Sequence, residues 1–299
     1  MNNSPIRFVQ TSFGLLRVYQ WTKNLLVFAA LVFAQQFDEP SQILRSIAAF
    51  SVLCAISSAV YIFNDLIDIE KDRTHPEKRH RPLPSGQVGV PVALAFMLLL
   101  AGGSLAGAYA LRPAFFLCVL IYVALVTAYT LVLKHLLIVD VLVIAIGFVI
   151  RAVSGAIVLD VAFSNWLVVC TLFLALFLGL GKRRRELEHL DDAATSHRAV
   201  LGLYTVRYVD ALMLVLAATT LLTYTIYTCT PEVIERTGTD KLYLTLPFVI
   251  YGVFRYLYIV MENKGGGDPS RTLLKDTALL STVLLWGAAC MVILYTGSH

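Results

Sequence analysis

Charge is what this chain has least of. Only 15% of its 299 residues are Asp, Glu, Lys or Arg, 58% are apolar, and mean hydropathy is +0.74. That scarcity excludes a soluble domain of this size and a disordered chain alike, because neither keeps so little polar surface. Cysteine is sparse too. Cys54, Cys118, Cys170, Cys229 and Cys290 lie singly within or at the ends of apolar segments, without metal-ligand spacing. They exclude a disulfide scaffold and a thiolate metal site, and are expected as free buried thiols. No small-residue cleavage site follows the first apolar run, so that run is expected to stay as an anchor. The net charge of +4 comes with no nucleic-acid-binding motif, and nucleic acid is not expected as a partner.

What the chain does have is apolar sequence in lengths that cross a bilayer. Such segments lie at roughly 24–37, 43–64, 90–111, 114–133, 136–159, 164–181, 208–229, 242–261 and 277–296. They predict an all-α, polytopic integral membrane helical bundle of about nine transmembrane helices, one membrane domain over residues 1–299. The first is short unless Leu15 to Trp21 extends it. Alternate connecting segments carry about 18 Lys and Arg, the others only Arg45, Arg112, Arg236 and Lys241. The positive-inside rule then places the N-terminus in the cytoplasm of a multi-pass inner-membrane protein. The charged loops, about 65–89, 182–207 and 262–276, face the same side.

Where the second apolar helix meets a basic loop stands Asn64-Asp65-Leu66-Ile67-Asp68-Ile69-Glu70-Lys71-Asp72. At helical spacing Asp65, Asp68 and Asp72 fall within an arc of roughly 60°, and like charges so placed repel. A bound cation removes the conflict. Asp65 and Asp72 are expected about 10 Å apart along the axis, too far to share one ion, so Asp65 with Asp68 or Asp68 with Asp72 would hold it. Oxygen ligands alone favour Mg²⁺, completed by substrate phosphate and water. The alternative is a solvated helix end. The following loop, Arg73 to Gly86, brings Arg79 and Arg81 close in sequence to these acids, and one of them is expected on phosphate.

Other candidates are single polar residues at or inside spans. Lys23, Tyr129 and Lys134 sit at span ends, where a lysine could equally snorkel. Asp140 and Arg151 share one helical face of the fifth span, with Gly147 near the same stripe. Asp140 reads as the better site residue; Arg151 is equally open to a structural role against neighbouring carbonyls. Lys182-Arg183-Arg184-Arg185-Glu186 is the densest cationic run, suited to a polyphosphate and also to setting topology. Asp191-Asp192-Ala193-Ala194-Thr195-Ser196 looks like a soluble phosphoribosyltransferase loop but lacks the preceding strand, and is taken as a decoy. In the last loop Asp268 or Ser270 reads as the start of a short helix, with no site role.

The pattern NDxxDxxxD from Asn64 to Asp72, then Arg-Pro-Leu-x-x-Gly from Arg81 to Gly86, resembles the first motif of the UbiA superfamily of membrane prenyltransferases. Five further stretches resemble its decaprenyl-phosphate phosphoribosyltransferase branch. They are Gln20 to Asn24, Lys134-His135 with Asp140, Gly147 to Ala156, Gly181 to Leu187, and Gly266 to Pro269. The resemblance implies transfer of 5-phosphoribosyl from phosphoribosyl pyrophosphate to a polyprenyl phosphate, using Mg²⁺ and releasing pyrophosphate. The lipid product would feed arabinose donors for cell-wall polymers such as arabinogalactan. Asp65, Asp68 and Asp72 would hold the metal with Asn64 in support. Lys23, Arg79, Arg81, Tyr129, Lys134, Asp140, Arg151, Lys182, Arg183 and Glu186 would bind substrate.

One departure from the superfamily stands out. Its aromatic prenyltransferases carry a second aspartate-rich motif after the sixth span, where this chain has Lys182 to Glu186, with Glu188 and Asp192 the nearest acids. That argues against a second metal there and suits substrates with more phosphates. The rivals are prenyl transfer from a prenyl diphosphate to an aromatic acceptor, and a transporter or lipid-binding protein, for which no internal repeat speaks. A homo-oligomer is compatible with the chain.

Overall fold

The computed structural model describes residues 14–74, 78–162, 164–188, 199–262 and 266–297. The Asp191 to Ser196 stretch, His75 to Glu77 of the basic loop and Asn263 to Gly265 of the last loop lie outside these residues. Among the described residues every regular element is helical. In chain order α1 is Val18–Phe33, α2 Pro40–Ile67, α3 Ile69–Thr74, α4 Val90–Leu111, α5 Pro113–Leu131 and α6 Val139–Leu159. Then come α7 Asn165–Glu188, α8 Val206–Cys229, α9 Pro231–Thr237, α10 Leu246–Met261, α11 Pro269–Lys275 and α12 Thr277–Gly297. Eight of these helical stretches are long and apolar enough to cross a membrane, counting α10 with its leading turn from Lys241. The ninth expected span is α1, shorter and wound mostly as 3₁₀ helix over Val18–Phe28. It starts before residue 24 because Val18 to Trp21 join it, and stops at Phe33, ahead of Gln35 in a left-handed conformation (φ 54°).

Helix starts follow local chemistry. Pro40, Pro113, Pro231 and Pro269 each open a helix, where a missing N–H is harmless. Thr205 caps α8 by accepting from the Tyr208 N–H at 3.2 Å. α2 and α6 are the most enclosed spans, 61% and 56% buried, whereas α4 is 11% buried and turns its apolar surface outward. Such all-round apolar helices are stable only where lipid replaces water. All five cysteines are free as expected; Cys54 and Cys290 are buried, but Cys229 is exposed on α8 rather than enclosed.

α1 can lie against α6 only because of Gly155. A β-carbon at that position would stand 2.1 Å from the Val27 carbonyl oxygen, a backbone atom that cannot swing aside. Small residues that let helices approach closely are the usual adhesive in membranes. Gly155→Ala is therefore expected to lower stability by about 1–3 kcal/mol or more, through displacement of α1. Thermal inactivation of the detergent-solubilised variant checks this; an unchanged half-life would contradict the packing.

A charged cavity at one end of the bundle

The C-terminal ends of α2, α5, α7 and α10 meet the starts of α1, α6 and α12, and a cavity of about 2130 Å³ opens among them. Its polar and charged lining includes Asn64, Asp68, Asp72, Arg81, Lys134, Lys182, Arg185 and Asp268. Toward the opposite end of the spans the lining turns apolar, with Phe33, Leu174, Phe248, Val249 and Met291. The volume is about twice the upper end of ordinary small-ligand pockets, so two substrates can share it.

The aspartate cluster differs from the sequence expectation in a specific way. α2 does not run on through it: Asp68 takes φ −95°, ψ 10° and the helix restarts at Ile69. One Arg81 nitrogen, Nη1, donates to Asp65 Oδ1 at 3.2 Å and to Asp72 Oδ2 at 2.7 Å. The two oxygens therefore lie within the summed length of those bonds, not about 10 Å apart as an unbroken helix predicts. Arg81 thus bridges Asp65 and Asp72, the two aspartates expected to lie too far apart to share an ion. Asp68 instead receives the Lys134 ammonium at 3.2 Å on each oxygen. Lys78 adds a 3.6 Å contact to Asp72, and Arg17 binds Asp65 while lying over the Tyr61 ring.

Asp65 itself does not line the cavity; it is 3% exposed, covered by the Arg17 and Arg81 guanidiniums. Arg17, given only a topogenic role by the sequence, occupies a left-handed backbone conformation (φ 50°, ψ 48°) that costs a non-glycine residue about 1–2 kcal/mol. Tertiary contacts hold it there: Ser58 donates to the Leu16 carbonyl at 2.8 Å, and Leu15 is buried with Ile62 and Leu83.

On α7 the cationic run splits by helical phase. Lys182 and Arg185, three residues apart, line the cavity, and Glu186 lies beside them. Arg183 and Arg184 point into the packing instead. Arg183 is 1% exposed, donating to Asp140 Oδ2 at 2.6 Å and Tyr129 at 3.3 Å, and pairing with Glu186. Arg184 donates to Asp210 at 2.6 Å and to the Val260 carbonyl at 2.9 Å. The expectation of phosphate on Arg183 is thus corrected: it ties α7 to α6 and α5, and Arg185 takes the cavity position. Glu188 is taken up by Arg184 and Arg185, leaving no spaced acid pair on this helix.

Asp140 is corrected likewise. It is fully buried, absent from the cavity wall, and saturated by Arg183 and by the Tyr204 hydroxyl at 2.8 Å. Tyr204 also accepts from the N–H of Ile138, whose φ of 68° is strained for a β-branched residue. Burial, and then the Asp140 carboxylate, push the Tyr204 phenol up, so it remains a donor. Asp140 holds Arg183 in place from behind the cavity wall. Arg79 also lies off the cavity, exposed and bonded to His80 at 3.2 Å. Of the two arginines expected on phosphate, Arg81 is the one at the site.

Lys23 and Arg151 lie deeper. Arg151 lines the cavity but is fully committed, donating at 2.7 Å each to Asn24, the Gly147 carbonyl and the Tyr122 hydroxyl. Lys23 lines the cavity one turn further along α1 than Gln20. The last loop, expected to be bland, closes one side. Asp268 caps α11, accepting from Ser270 N at 3.0 Å, and its other oxygen accepts from Gln20 at 2.8 Å. The cap is as expected; the place in the cavity wall is new. Arg271 stacks 4.5 Å over the Tyr19 ring.

Asp65 and Asp72 offer hard carboxylate oxygens at one point, with Asn64 and Asp68 beside them, a donor set that fits Mg²⁺ with substrate oxygens completing it. Among the described residues no three acid, histidine or cysteine side chains converge on one metal position, so a metal there would depend on ligands brought by substrate.

The model of the UbiA prenyltransferase family matches residues 24–269. Over 287 residues the chain is 31% identical to the decaprenyl-phosphate phosphoribosyltransferase of Mycobacterium tuberculosis H37Rv, covering 94% of this chain and 93% of that one. The protein of the same name from Mycolicibacterium smegmatis is 29% identical over 291 residues, covering 94% and 92%. A UbiA homologue from Archaeoglobus fulgidus bound to GPP and Mg²⁺ shares the fold, with a TM-score of 0.70 at 19% identity over 96% of this chain and 99% of that one. With a family match over most of its length and relatives at 29–31% identity across 94% of it, this chain belongs to the UbiA prenyltransferase family.

Proposed function

We propose that the protein transfers a 5-phosphoribosyl group from phosphoribosyl pyrophosphate to a polyprenyl phosphate such as decaprenyl phosphate, releasing pyrophosphate. The observation that carries this reading is the charge layout of the cavity. Cations line it on both walls: Lys78, Arg81 and Lys134 beside the α2–α3 aspartates, and Lys182, Arg185 and Arg271 on α7 and α11, where Glu186 and Asp268 also stand. A prenyl diphosphate brings one anionic group; this cavity provides for several.

Mg²⁺, when bound, would be held by Asp65 and Asp72 with Asp68 nearby and substrate oxygens completing the set, and would neutralise charge on the donor's diphosphate. Arg81, Lys78 and Lys134 orient that diphosphate from the same wall. Lys182 and Arg185 hold a phosphate on the opposite wall, with Lys23 further in. The acceptor phosphate is already anionic near neutral pH, so no residue needs to act as a strong base. Its oxygen attacks the anomeric carbon as the bond to pyrophosphate breaks, and the electron pair leaves with pyrophosphate. The rate gain rests on positioning and on cations facing the departing charge. The apolar end takes the isoprenoid. The basic end faces the cytoplasm of the inner membrane, where a soluble donor is available.

The test is a direct choice of donor. Purified protein in detergent should move ribose label from phosphoribosyl pyrophosphate into polyprenyl phosphate, with divalent metal required. Transfer from a prenyl diphosphate to an aromatic acceptor, with no ribose transfer, would overturn the reading. Lys182→Gln with Arg185→Gln should raise the donor KM about tenfold or more, since each removes charge-assisted bonds, while insertion is preserved by the remaining basic loops. Unchanged kinetics would return both residues to topology.

A further inference from the structure

The aspartates lie beneath cations that already occupy their oxygens. Asp65 Oδ1 takes both Arg17 and Arg81, Asp72 takes Arg81 and Lys78, and Asp68 takes Lys134. Three carboxylates thus stand against four cations. A bare divalent ion would enter a cluster whose formal charge is already positive, and to take Asp65 Oδ1, on a carboxylate 3% exposed, it would have to displace two guanidiniums. Among the described residues no other acid is bonded to Arg17, so a guanidinium displaced from Asp65 would be left without an anion in a largely enclosed place. A diphosphate arriving with the metal removes both difficulties, because its oxygens replace the carboxylates as acceptors.

We propose, resting on the metal–diphosphate reading above, that Arg17 and Arg81 are exchange groups. They hold Asp65 and Asp72 in the metal-free protein and turn to the diphosphate when it enters, so the divalent cation loads only as its diphosphate complex. Arg17 is thereby a positioning and binding residue for the donor, which no motif in the sequence marks. Its left-handed backbone and the Tyr61 ring beneath it fix the pivot about which the side chain turns. Arg81 needs little movement, since it already bridges both carboxylates from the cavity side.

Electron paramagnetic resonance with Mn²⁺ as the probe tests this without turnover. Wild-type protein should show no saturable Mn²⁺ binding alone, and one bound Mn²⁺ when inorganic pyrophosphate is present. Arg17→Gln and Arg81→Gln should each gain saturable binding of Mn²⁺ alone, and should bind Mn²⁺–pyrophosphate about tenfold or more weakly than wild type. Wild-type protein that binds Mn²⁺ alone as tightly as with pyrophosphate would overturn the loading order, with no variant needed. Gln variants that fold and leave Mn²⁺ binding unchanged would remove the exchange role. If Asp65→Asn and Asp72→Asn both keep full Mn²⁺–pyrophosphate binding, the metal site itself is misplaced and the exchange falls with it.

Discussion

Asp65→Asn should leave a protein that inserts into the membrane and loses turnover by about a hundredfold or more, the scale seen when one preorganised charge contact is removed from an active site. Asn preserves the volume and removes the charge that holds Arg17 and Arg81 in place. Asp72→Asn should behave alike, because each substitution removes one of the two Arg81-bridged carboxylates that would meet the metal. The measurement is kcat against Mg²⁺ concentration for each variant in detergent. Near-normal turnover with unchanged metal dependence in both would move the metal elsewhere. Asp68→Asn is the informative comparison, since its partner is Lys134 and it lies outside the bridged pair.

The second large effect is on stability. Asp140→Ala leaves the Arg183 guanidinium buried with only Glu186 as a counter-charge, and removing one partner of a buried pair costs about 3–5 kcal/mol. The half-life of the solubilised protein near its inactivation temperature should fall steeply, kinetic loss being the practical measure for a membrane protein that unfolds irreversibly. The double variant Asp140→Leu with Arg183→Met removes both charges and should recover much of that loss. A substrate-binding Asp140 would give the opposite pattern, with stability unchanged and catalysis reduced.

These two cases mark what was legible in the sequence. The spans were, since each is a run of apolar residues whose length is set by the bilayer. α1 was blurred because most of it is 3₁₀ helix and its polar residues, Gln20 and Asn24, face inward. The aspartate motif was legible as a site for metal and phosphate chemistry, but its geometry was not. Nothing local announces that the helix breaks at Asp68, and the bridging Arg81 comes from a loop whose path depends on tertiary packing. The cationic run on α7 could have been sorted by phase, because Lys182 and Arg185 are three apart and share a face. Which face met the cavity was beyond reach without the partners Asp140, Tyr129 and Asp210. Arg17 carried no signal at all: a lone arginine before an apolar run reads as topology, and its left-handed backbone is invisible in sequence.

The central claim is that ribose is the group transferred and the lipid phosphate the nucleophile. It is tested most directly by a double-label experiment. The donor carries one isotope in its ribose and another in its diphosphate, and is mixed with polyprenyl phosphate, purified protein and Mg²⁺. The account predicts that the ribose label enters the lipid phase in step with release of the diphosphate label into water as pyrophosphate, one for one. Diphosphate label in the lipid, or pyrophosphate released with no ribose in the lipid, would contradict it.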